Sequence, residues 1–163
     1  MESPYCYFRS SKISNLKVVY EDDNFIIFNK PNGLLTHPTN KSTEFTLRDY
    51  LVEEHPSILS WGEENREGIV HRLDRVTSGL IVCALNLESY NLLKGKFKNR
   101  EITKSYVALI EGSLPSDSGI LNLPLARSLK NRSKRSVDTN GRNSTTKYEV
   151  LNFYEDLNIS KIE

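Results

Sequence analysis

Apolar positions near the start of the chain are grouped into two short runs rich in the residue types that favour β-strands. Two β-branched and aromatic runs, 17–20 and 25–28, are separated by the polar residues 21–24. Runs of this kind joined by a short polar turn are typical of a β-hairpin. The chain should reverse again at 31–33, because proline fixes φ and Asn-Gly tolerates positive φ. The pattern therefore predicts an opening hairpin that delivers residues 34–38 beside it.

Apolar residues recur at helical spacing in two segments, 46–54 and 87–98. Thr46 with Asp49 three residues later approximates a capping box, and Asn86 is a good N-cap for the second segment. We predict one helix in each segment, with the first ending near residue 54 ahead of the next proline.

The later part of the chain returns to strand patterns. Residues 104–111 place apolar side chains on both faces, so we predict a strand that is covered on both sides and central in its sheet. A short strand is expected at 120–121, and 158–162 begins another alternating strand. Hairpins interspersed with helices indicate an α+β fold with a mixed, largely antiparallel sheet and flanking helices.

The segment 127–147 is strongly biased in charge. It holds a single acid, Asp138, and seven basic residues: Arg127, Lys130, Arg132, Lys134, Arg135, Arg142 and Lys147. Residues 138–141 form a strong turn signal between strand patterns at 135–137 and 145–151, which predicts a basic hairpin. One-signed charge interleaved with Ser and Asn suits phosphate contacts, so we favour nucleic-acid binding over a merely solvated hairpin.

Composition narrows the class of protein. The 163 residues include 22 basic and 21 acidic side chains and have a net charge of +1, which by itself indicates no polyanionic partner. A mean hydropathy of −0.49 and a longest apolar run of 80–85 argue against a membrane span. The widely separated Cys6 and Cys83 favour reduced thiols, and no secretory signal is visible, so we expect a cytoplasmic protein. We expect a monomer, with 1–15 as an extended lead-in to one body over 16–163.

Candidate chemistry is concentrated in the segment 68–84, where two apolar runs flank a polar turn. The turn carries His71, Arg72, Asp74 and Arg75. Polar residues between core strands are costly unless they are paired or used, so Asp74 is the leading candidate. A purely structural Asp74, which accepts backbone hydrogen bonds and pairs with a neighbouring arginine, stays open as the alternative.

Other kinds of site are less well supported by the residues. The order His-Arg-Asp occurs in protein kinases, but this chain has neither a glycine-rich phosphate loop before it nor Asp-Phe-Gly after it. No G-x-S-x-G elbow is present, and Cys83 lies in a strand pattern. The three histidines and two cysteines make no zinc spacing, so we expect no metal. A carboxylate that acts as nucleophile or base is the interpretation that is left.

Four segments together resemble one enzyme family. Residues 71–80 resemble the H-R-L-D-x-x-T-S-G-L signature of the RluA-type RNA pseudouridine synthases. Residues 29–38 are similar to the K-P-x-G segment of that family, 104–112 to its K-x-Y-x-A-x-x-x-G strand, and 132–148 to its basic hairpin ending in T-x-Y. The resemblance runs from about residue 16 to the last residue.

The resemblance implies a reaction and a set of roles. The substrate would be a uridine in RNA, flipped out of the stack, and Asp74 would act as nucleophile or base without any cofactor. Arg72 would fill the gap left in the RNA, and Tyr106 would stack on the uracil. RNA contacts are expected from residues in the same motifs and in the basic segment: His71, Arg75, Thr77, Arg127, Lys130, Arg132, Lys134, Arg135 and Arg142.

The sequence departs from the family pattern at its end. Family members continue past the 158–162 strand into an L-x-T-G-R-x-H-Q-I-R segment, which supplies a basic partner for the catalytic Asp, and this sequence does not contain that segment. We therefore expect a catalytic domain that is incomplete at its C-terminus. Two hypotheses follow, a pseudouridine synthase acting on ribosomal or transfer RNA, and a non-catalytic RNA-binding remnant or partner subunit.

Overall fold

The structure, a computed structural model, describes residues 16–39, 43–131 and 134–163. The chain is organised as two compact units, one ending at Thr103 and the other running from Lys104 to Glu163. The expected lead-in over 1–15 and the basic residue Arg132 lie outside the described residues.

The first unit is a small antiparallel sheet with two α-helices. Its described elements are β1 (Lys17–Glu21), β2 (Phe25–Lys30), α1 (Leu47–Glu54), a 3-10 helix (Pro56–Ser60), β3 (Gly79–Ala84) and α2 (Leu87–Lys98). The strands lie in the order β1-β2-β3, and both pairs are antiparallel. The predicted opening hairpin and both predicted helices are confirmed.

Both helices begin where their capping residues predict. The Thr46 hydroxyl accepts a hydrogen bond from the Asp49 backbone N at 3.3 Å, and the Asp49 carboxylate accepts one from the Thr46 backbone N at 2.9 Å. This reciprocal pair satisfies two otherwise unpaired amides at the start of α1. The Asn86 side chain accepts from the Ser89 backbone N at 2.9 Å and starts α2 in the same way.

The core of the first unit lies against one face of β2 and β3. Ile26 and Phe28 alternate on β2 with more exposed neighbours, and both are buried. They pack with buried residues from the rest of the unit: Leu47, Leu51, Ile58, Ile69, Leu73, Ile81 and Cys83. Because Leu73 belongs to the polar turn, the core holds that turn directly.

The second unit is a five-stranded antiparallel sheet. Its strands are β4 (Ala108–Glu111), β5 (Ser118–Arg127), β6 (Arg135–Val137), β7 (Arg142–Tyr154) and β8 (Ile159–Ile162), with a short 3-10 helix (Glu155–Leu157) before β8. The strand order is β4-β8-β7-β5-β6. The α+β class with largely antiparallel strands is confirmed, and the predicted strand over 158–162 is present as β8.

The prediction for 104–111 is wrong in length and position. The strand begins only at Ala108, so Tyr106 precedes it. Among the described strands, β4 lies at the edge of its sheet and pairs with β8 alone. Leu109 is 68% exposed, so the strand is not covered on both sides. Apolar alternation shows which residues of a strand share a face. Whether the strand lies at the edge or in the centre of a sheet depends on its pairing with residues far along the chain. For the same reason, the short strand expected at 120–121 is instead the ten-residue β5.

The predicted basic hairpin is also paired differently. The turn forms, with the Gly141 backbone N donating to the Asp138 carbonyl at 2.8 Å, but β6 pairs with β5 and not with β7. Leu125 of β5 lies opposite Val137 on one side and Arg142 on the other. A side chain at Gly141 would come within 2.6 Å of the Leu125 backbone, so only glycine fits where the turn meets β5. The turn therefore joins two strands that flank β5.

Candidate active site

The polar turn begins where the chain separates from the edge of β3. The Ala84 backbone N donates to the Gly68 carbonyl at 2.9 Å, and Ile69 bridges Cys83 in antiparallel fashion. Gly68 has a φ of +71°, which favours glycine. Residues 71–78, which we call the Asp loop, then run from this edge back into the start of β3.

A buried ammonium holds the centre of the Asp loop. Lys30, at the end of β2, has no exposed surface, and its Nζ donates to the carbonyls of Pro31, Leu34 and Arg75 at 3.0, 2.9 and 3.4 Å. Burial lowers the pKa of the Lys30 amine, and the negative charge of Asp74 opposes that shift. Lys30 thus fixes a loop carbonyl and places positive charge within electrostatic reach of the Asp74 carboxylate.

Further donors from the same segment bind neighbouring loop carbonyls. The Thr36 hydroxyl donates to Leu73 O at 2.8 Å, the Gly33 backbone N to Arg75 O at 2.8 Å, and the Asn32 side-chain amide to Val76 O at 2.7 Å. The loop also closes on itself, because the Thr77 backbone N donates to the Asp74 carbonyl at 3.0 Å. Backbone positions on both sides of Asp74 are therefore fixed.

The Asp74 carboxylate itself points into solvent. Its side chain is 75% exposed and accepts a hydrogen bond from Arg72 at 3.0 Å, and Arg72 is 61% exposed. Arg75 forks onto the Glu44 carboxylate with distances of 3.0 and 2.8 Å. Exposed ion pairs contribute little free energy. An incoming anion can therefore replace Asp74 on Arg72, or Glu44 on Arg75, at a small cost in free energy.

His71 lies at the other end of the loop and is half-buried. Its Nε2 accepts a hydrogen bond from the Val82 backbone N at 3.1 Å. Its ring stacks on Phe97 with centroids 4.5 Å apart and planes 19° from parallel. The imidazole therefore contacts both β3 and α2.

The start of α1 supports the segment that holds the loop. The backbone N of Leu47 donates to Leu35 O at 2.9 Å, and the backbone N of Arg48 donates to Thr36 O at 3.0 Å. The Arg48 side chain forms an ion pair with the buried Glu67 at 2.5 Å. Burial acts to raise the pKa of Glu67, but its hydrogen bonds, above all from Arg48, outweigh burial and leave that pKa below its usual value. The helix start thereby connects residues 35–36 to the residue just before Gly68.

The second unit carries the other predicted residues. Tyr106 precedes β4 and is 49% exposed. Arg127 lies opposite Arg135, and two residues earlier on β5 Leu125 lies opposite Arg142. Opposite residues and residues two apart share a face of a sheet, so these arginines share one face, and all of them are exposed. Lys130 and Lys134 are exposed in the connection between β5 and β6.

Sequence reasoning missed four residues whose side chains contact the Asp loop, namely Lys30, Asn32, Thr36 and Glu44. For Lys30 a signal was present: the period of two puts it on the same face of β2 as Ile26 and Phe28, which places a lysine on the buried face. The contacts of Thr36 and Glu44 with the loop span 37 and 31 residues, and no local pattern reports them.

Metal-binding clusters and membrane-spanning helices are both absent from the described residues. In 16–39, 43–131 and 134–163, no group of three or more His, Cys, Asp or Glu side chains is arranged to bind a metal ion. Over the same described part of the chain, every helix is too short or too polar to cross a bilayer.

Comparison with known proteins identifies the family. Residues 24–163 match the model of the RNA pseudouridylate synthase family, and the chain belongs to that family. It is 37% identical over 144 residues to the ribosomal large subunit pseudouridine synthase D of Borreliella burgdorferi, covering 86% of this chain and 44% of that protein. It is 38% identical over 140 residues to the enzyme of the same name from Buchnera aphidicola, covering 86% of this chain and 43% of that protein. The resemblance drawn from the motifs is confirmed.

The fold agrees with a solved structure. The human RNA pseudouridylate synthase domain containing 1 superimposes with a TM-score of 0.70 at 24% identity, covering 95% of this chain and 60% of that chain. This likeness concerns the fold alone. The chain spans about half the length of the curated relatives it matches.

Proposed function

We propose that residues 16–163 form part of a catalytic domain that isomerises uridine in RNA to pseudouridine, with Asp74 as the catalytic residue. The observation that carries the proposal is the contrast at one position. The carbonyls of Leu73, Arg75 and Val76 accept hydrogen bonds from the 30–36 segment, whereas the Asp74 carboxylate is open to solvent. A fixed backbone with an accessible carboxylate is what chemistry on a bound substrate requires.

The reaction needs one carboxylate and no external electron source. The bond from N1 of uracil to C1′ of ribose breaks, the base turns, and C5 bonds to C1′. The C5 proton is lost to solvent, and N1 takes up a proton in its place. Asp74 either attacks C1′, with the resulting ester bond breaking when C5 bonds to C1′, or removes a proton, which is returned if it comes from the sugar. Both routes suit a carboxylate. The substrate and product are isomers with no net change of oxidation state, so the proposed reaction requires no redox cofactor.

Arg72 has a proposed role that depends on the target being flipped out. The reacting atoms are inaccessible in stacked RNA, so the nucleotide must leave the stack. Arg72 is exposed and bound to Asp74 through an exposed pair, so it can leave Asp74 and occupy the gap. Tyr106 keeps its proposed role of stacking on the uracil, which rests on the family resemblance.

The basic residues of the second unit are proposed to bind RNA phosphates. Arg127, Arg135 and Arg142 share one exposed face of the sheet, and the exposed Lys130 and Lys134 precede β6. A surface of one sign with long donors suits phosphate contacts. In the Asp loop, Arg75 and Thr77 are proposed contacts, with a phosphate exchanging for Glu44 on Arg75.

The RNA substrate and the cellular location of the protein are proposed from the names of the relatives and from one cysteine. Relatives of this chain are named for the ribosomal large subunit, so its ribosomal RNA is the first substrate to test and transfer RNA the second. A cytoplasmic location is in keeping with such substrates and with the free, buried thiol of Cys83.

The proposal is tested by release of tritium from RNA labelled at C5 of uridine. The full-length protein should release tritium, and Asp74→Asn should lower the rate at least about a hundredfold because it removes the reacting carboxylate. Binding of RNA by Asp74→Asn should stay within about twofold of the parent, since this change leaves the proposed phosphate contacts intact. Asp23→Asn, another exposed aspartate of the first unit, is the matched control and should keep full activity.

Two results would count against the enzyme. Release by Asp74→Asn at a rate close to that of the parent would remove Asp74 from the chemistry. RNA binding without release from either RNA by the parent protein would favour the non-catalytic RNA-binding hypothesis.

A further inference from the structure

The outer edge of β3 is completed by a side chain. The Ala84 backbone N donates across this edge to the Gly68 carbonyl at 2.9 Å. Backbone amides two residues apart point to the same side of a strand, so the amide of Val82 faces the same way. By this point the adjoining chain has turned into the Asp loop, and His71 Nε2 accepts from Val82 N at 3.1 Å. The imidazole thus takes the place of a backbone carbonyl in the ladder.

The same ring is held from a second element. Phe97 of α2 stacks on it with centroids 4.5 Å apart and 19° between planes. A strand amide fixes one ring nitrogen, and a helix side chain covers one ring face. These two contacts come from different elements, so together they define where residue 71 lies and how its ring is turned.

We infer that His71 is a positioning residue for Asp74, acting in its neutral form as the acceptor that ends the edge of β3. The inference rests on the proposed function, because Asp74 must react for its position to matter. The 30–36 segment fixes loop residues 73–76, and His71 fixes the opposite end of the loop, three residues before Asp74. This assignment replaces the RNA contact that the resemblance implied for His71.

The acceptor role has a chemical consequence. An imidazole nitrogen that accepts a hydrogen bond carries no proton, so the ring proton resides on Nδ1. A proton on Nε2 would face the Val82 amide hydrogen and break the bond that ends the strand edge. The Nε2 atom of His71 is therefore occupied by the Val82 amide and does not accept a proton from the substrate. Through this hydrogen bond, His71 orients the loop.

Two substitutions separate the acceptor from the ring. His71→Phe keeps an aromatic ring to stack on Phe97 but leaves the Val82 amide without its acceptor. His71→Gln lacks the ring but carries an amide oxygen at about the reach of Nε2. Phe97→Leu removes the stacking partner and leaves the acceptor, so it measures the contribution of the helix contact by itself.

The expected results are specific to positioning. In the tritium-release assay with full-length protein, His71→Phe should lower kcat by about ten- to a hundredfold, since small misplacements of reacting groups cost rates of that size. The RNA Kd should stay within about twofold, because the ring is not expected to touch RNA. His71→Gln should recover most of the lost kcat. Hydrogen exchange at the Val82 amide should accelerate in His71→Phe and stay slow in His71→Gln.

Other outcomes overturn the inference. A raised RNA Kd with kcat unchanged in His71→Phe would make His71 an RNA contact. Failure of His71→Gln to recover kcat while Val82 exchange stays slow would show that the acceptor is not what matters. The proposed function fails separately, through an inactive parent or an active Asp74→Asn, whereas Val82 exchange reports on the hydrogen bond in either case.

Discussion

The Asp loop and the arginine-bearing face of β5, β6 and β7 make opposite use of polar groups. Two of the donors that hold the Asp loop, Lys30 and Thr36, are buried and bind loop carbonyls. On the sheet face, Arg135 and Arg142 are exposed side chains at fixed register positions. Removing a buried donor leaves an acceptor unsatisfied, whereas removing an exposed arginine leaves a surface that water can solvate.

The two regions are therefore expected to contribute different things: the first unit fixes the position of the reacting group, and the sheet face supplies positive charge. A reacting carboxylate requires a backbone that does not move, and the first unit supplies it with buried hydrogen bonds. Phosphate contacts require charge at the surface and tolerate mobile side chains. Substitutions in the loop should therefore act on stability and turnover, and substitutions on the sheet face should act on RNA affinity and its salt dependence.

The largest effect on stability is expected from Lys30→Met. Three carbonyls lose a buried donor, so the free energy of unfolding should fall by about 2–4 kcal/mol in urea titration. Lys17→Met, a change at an exposed lysine of the same sheet, is the control and should cost less than about 0.5 kcal/mol. A Lys30 variant as stable as the control would mean that the ammonium does not hold the loop.

The stabilities of the parent and of Lys30→Met should also depend differently on pH. The pKa of Lys30 lies below its usual value of 10.5, so the folded state binds this proton more weakly than the unfolded state. Stability from this group is therefore gained as the pH rises from the lowered pKa towards 10.5 and lost as the pH falls back through it. The stability gap between the parent and Lys30→Met should widen over that interval, and a gap that narrows would contradict the assignment.

A smaller effect on stability is expected from Thr36→Val. The isosteric side chain leaves the buried Leu73 carbonyl without the hydroxyl, which should cost about 1–2 kcal/mol. Because Leu73 adjoins Asp74, turnover should fall while the RNA Kd is unchanged. Thr43→Val, at an exposed threonine, serves as the control in both measurements.

The smallest effect on stability, and the clearest on affinity, is expected on the sheet face. Changing Arg127, Arg135 and Arg142 together to Gln should alter stability by less than about 0.5 kcal/mol per site. The slope of log affinity against log salt should become shallower by about 0.7–0.9 for each RNA phosphate that the variant no longer binds. Lys147→Gln is the control. Lys147 also lies on β7, but it is five residues from Arg142, so its side chain is on the opposite face of the sheet. An unchanged slope in the triple variant would exclude this face from the RNA interface.

Local elements of the fold could be predicted from the sequence because their signals are local. The Thr46–Asp49 box and the Asn86 cap set where the helices start, and a polar turn set the first hairpin. Strand partners in the second unit could not be predicted in this way. The turn at 138–141 predicted that the strands on either side of it, β6 and β7, pair with each other. Instead, each of them pairs with β5.

The candidate site was predictable to a similar extent. Asp74 stood out because a carboxylate between apolar runs requires an explanation, and the motif order supplied one. The residues that hold its loop were less visible, since Thr36 and Glu44 act across 37 and 31 positions. Only Lys30 left a trace, as a lysine in phase with the buried residues of β2.

The position of β5 between β6 and β7 has a consequence for how the second unit can be dissected. Residues 135–154 contain the two strands that flank β5 and the turn between them, yet neither strand has the other as its partner. That stretch is therefore not an autonomous folding unit, and an excised peptide would lack the template for either strand. β5 must be in place before the three arginines can share a face, so formation of the basic surface is coupled to the folding of the whole sheet.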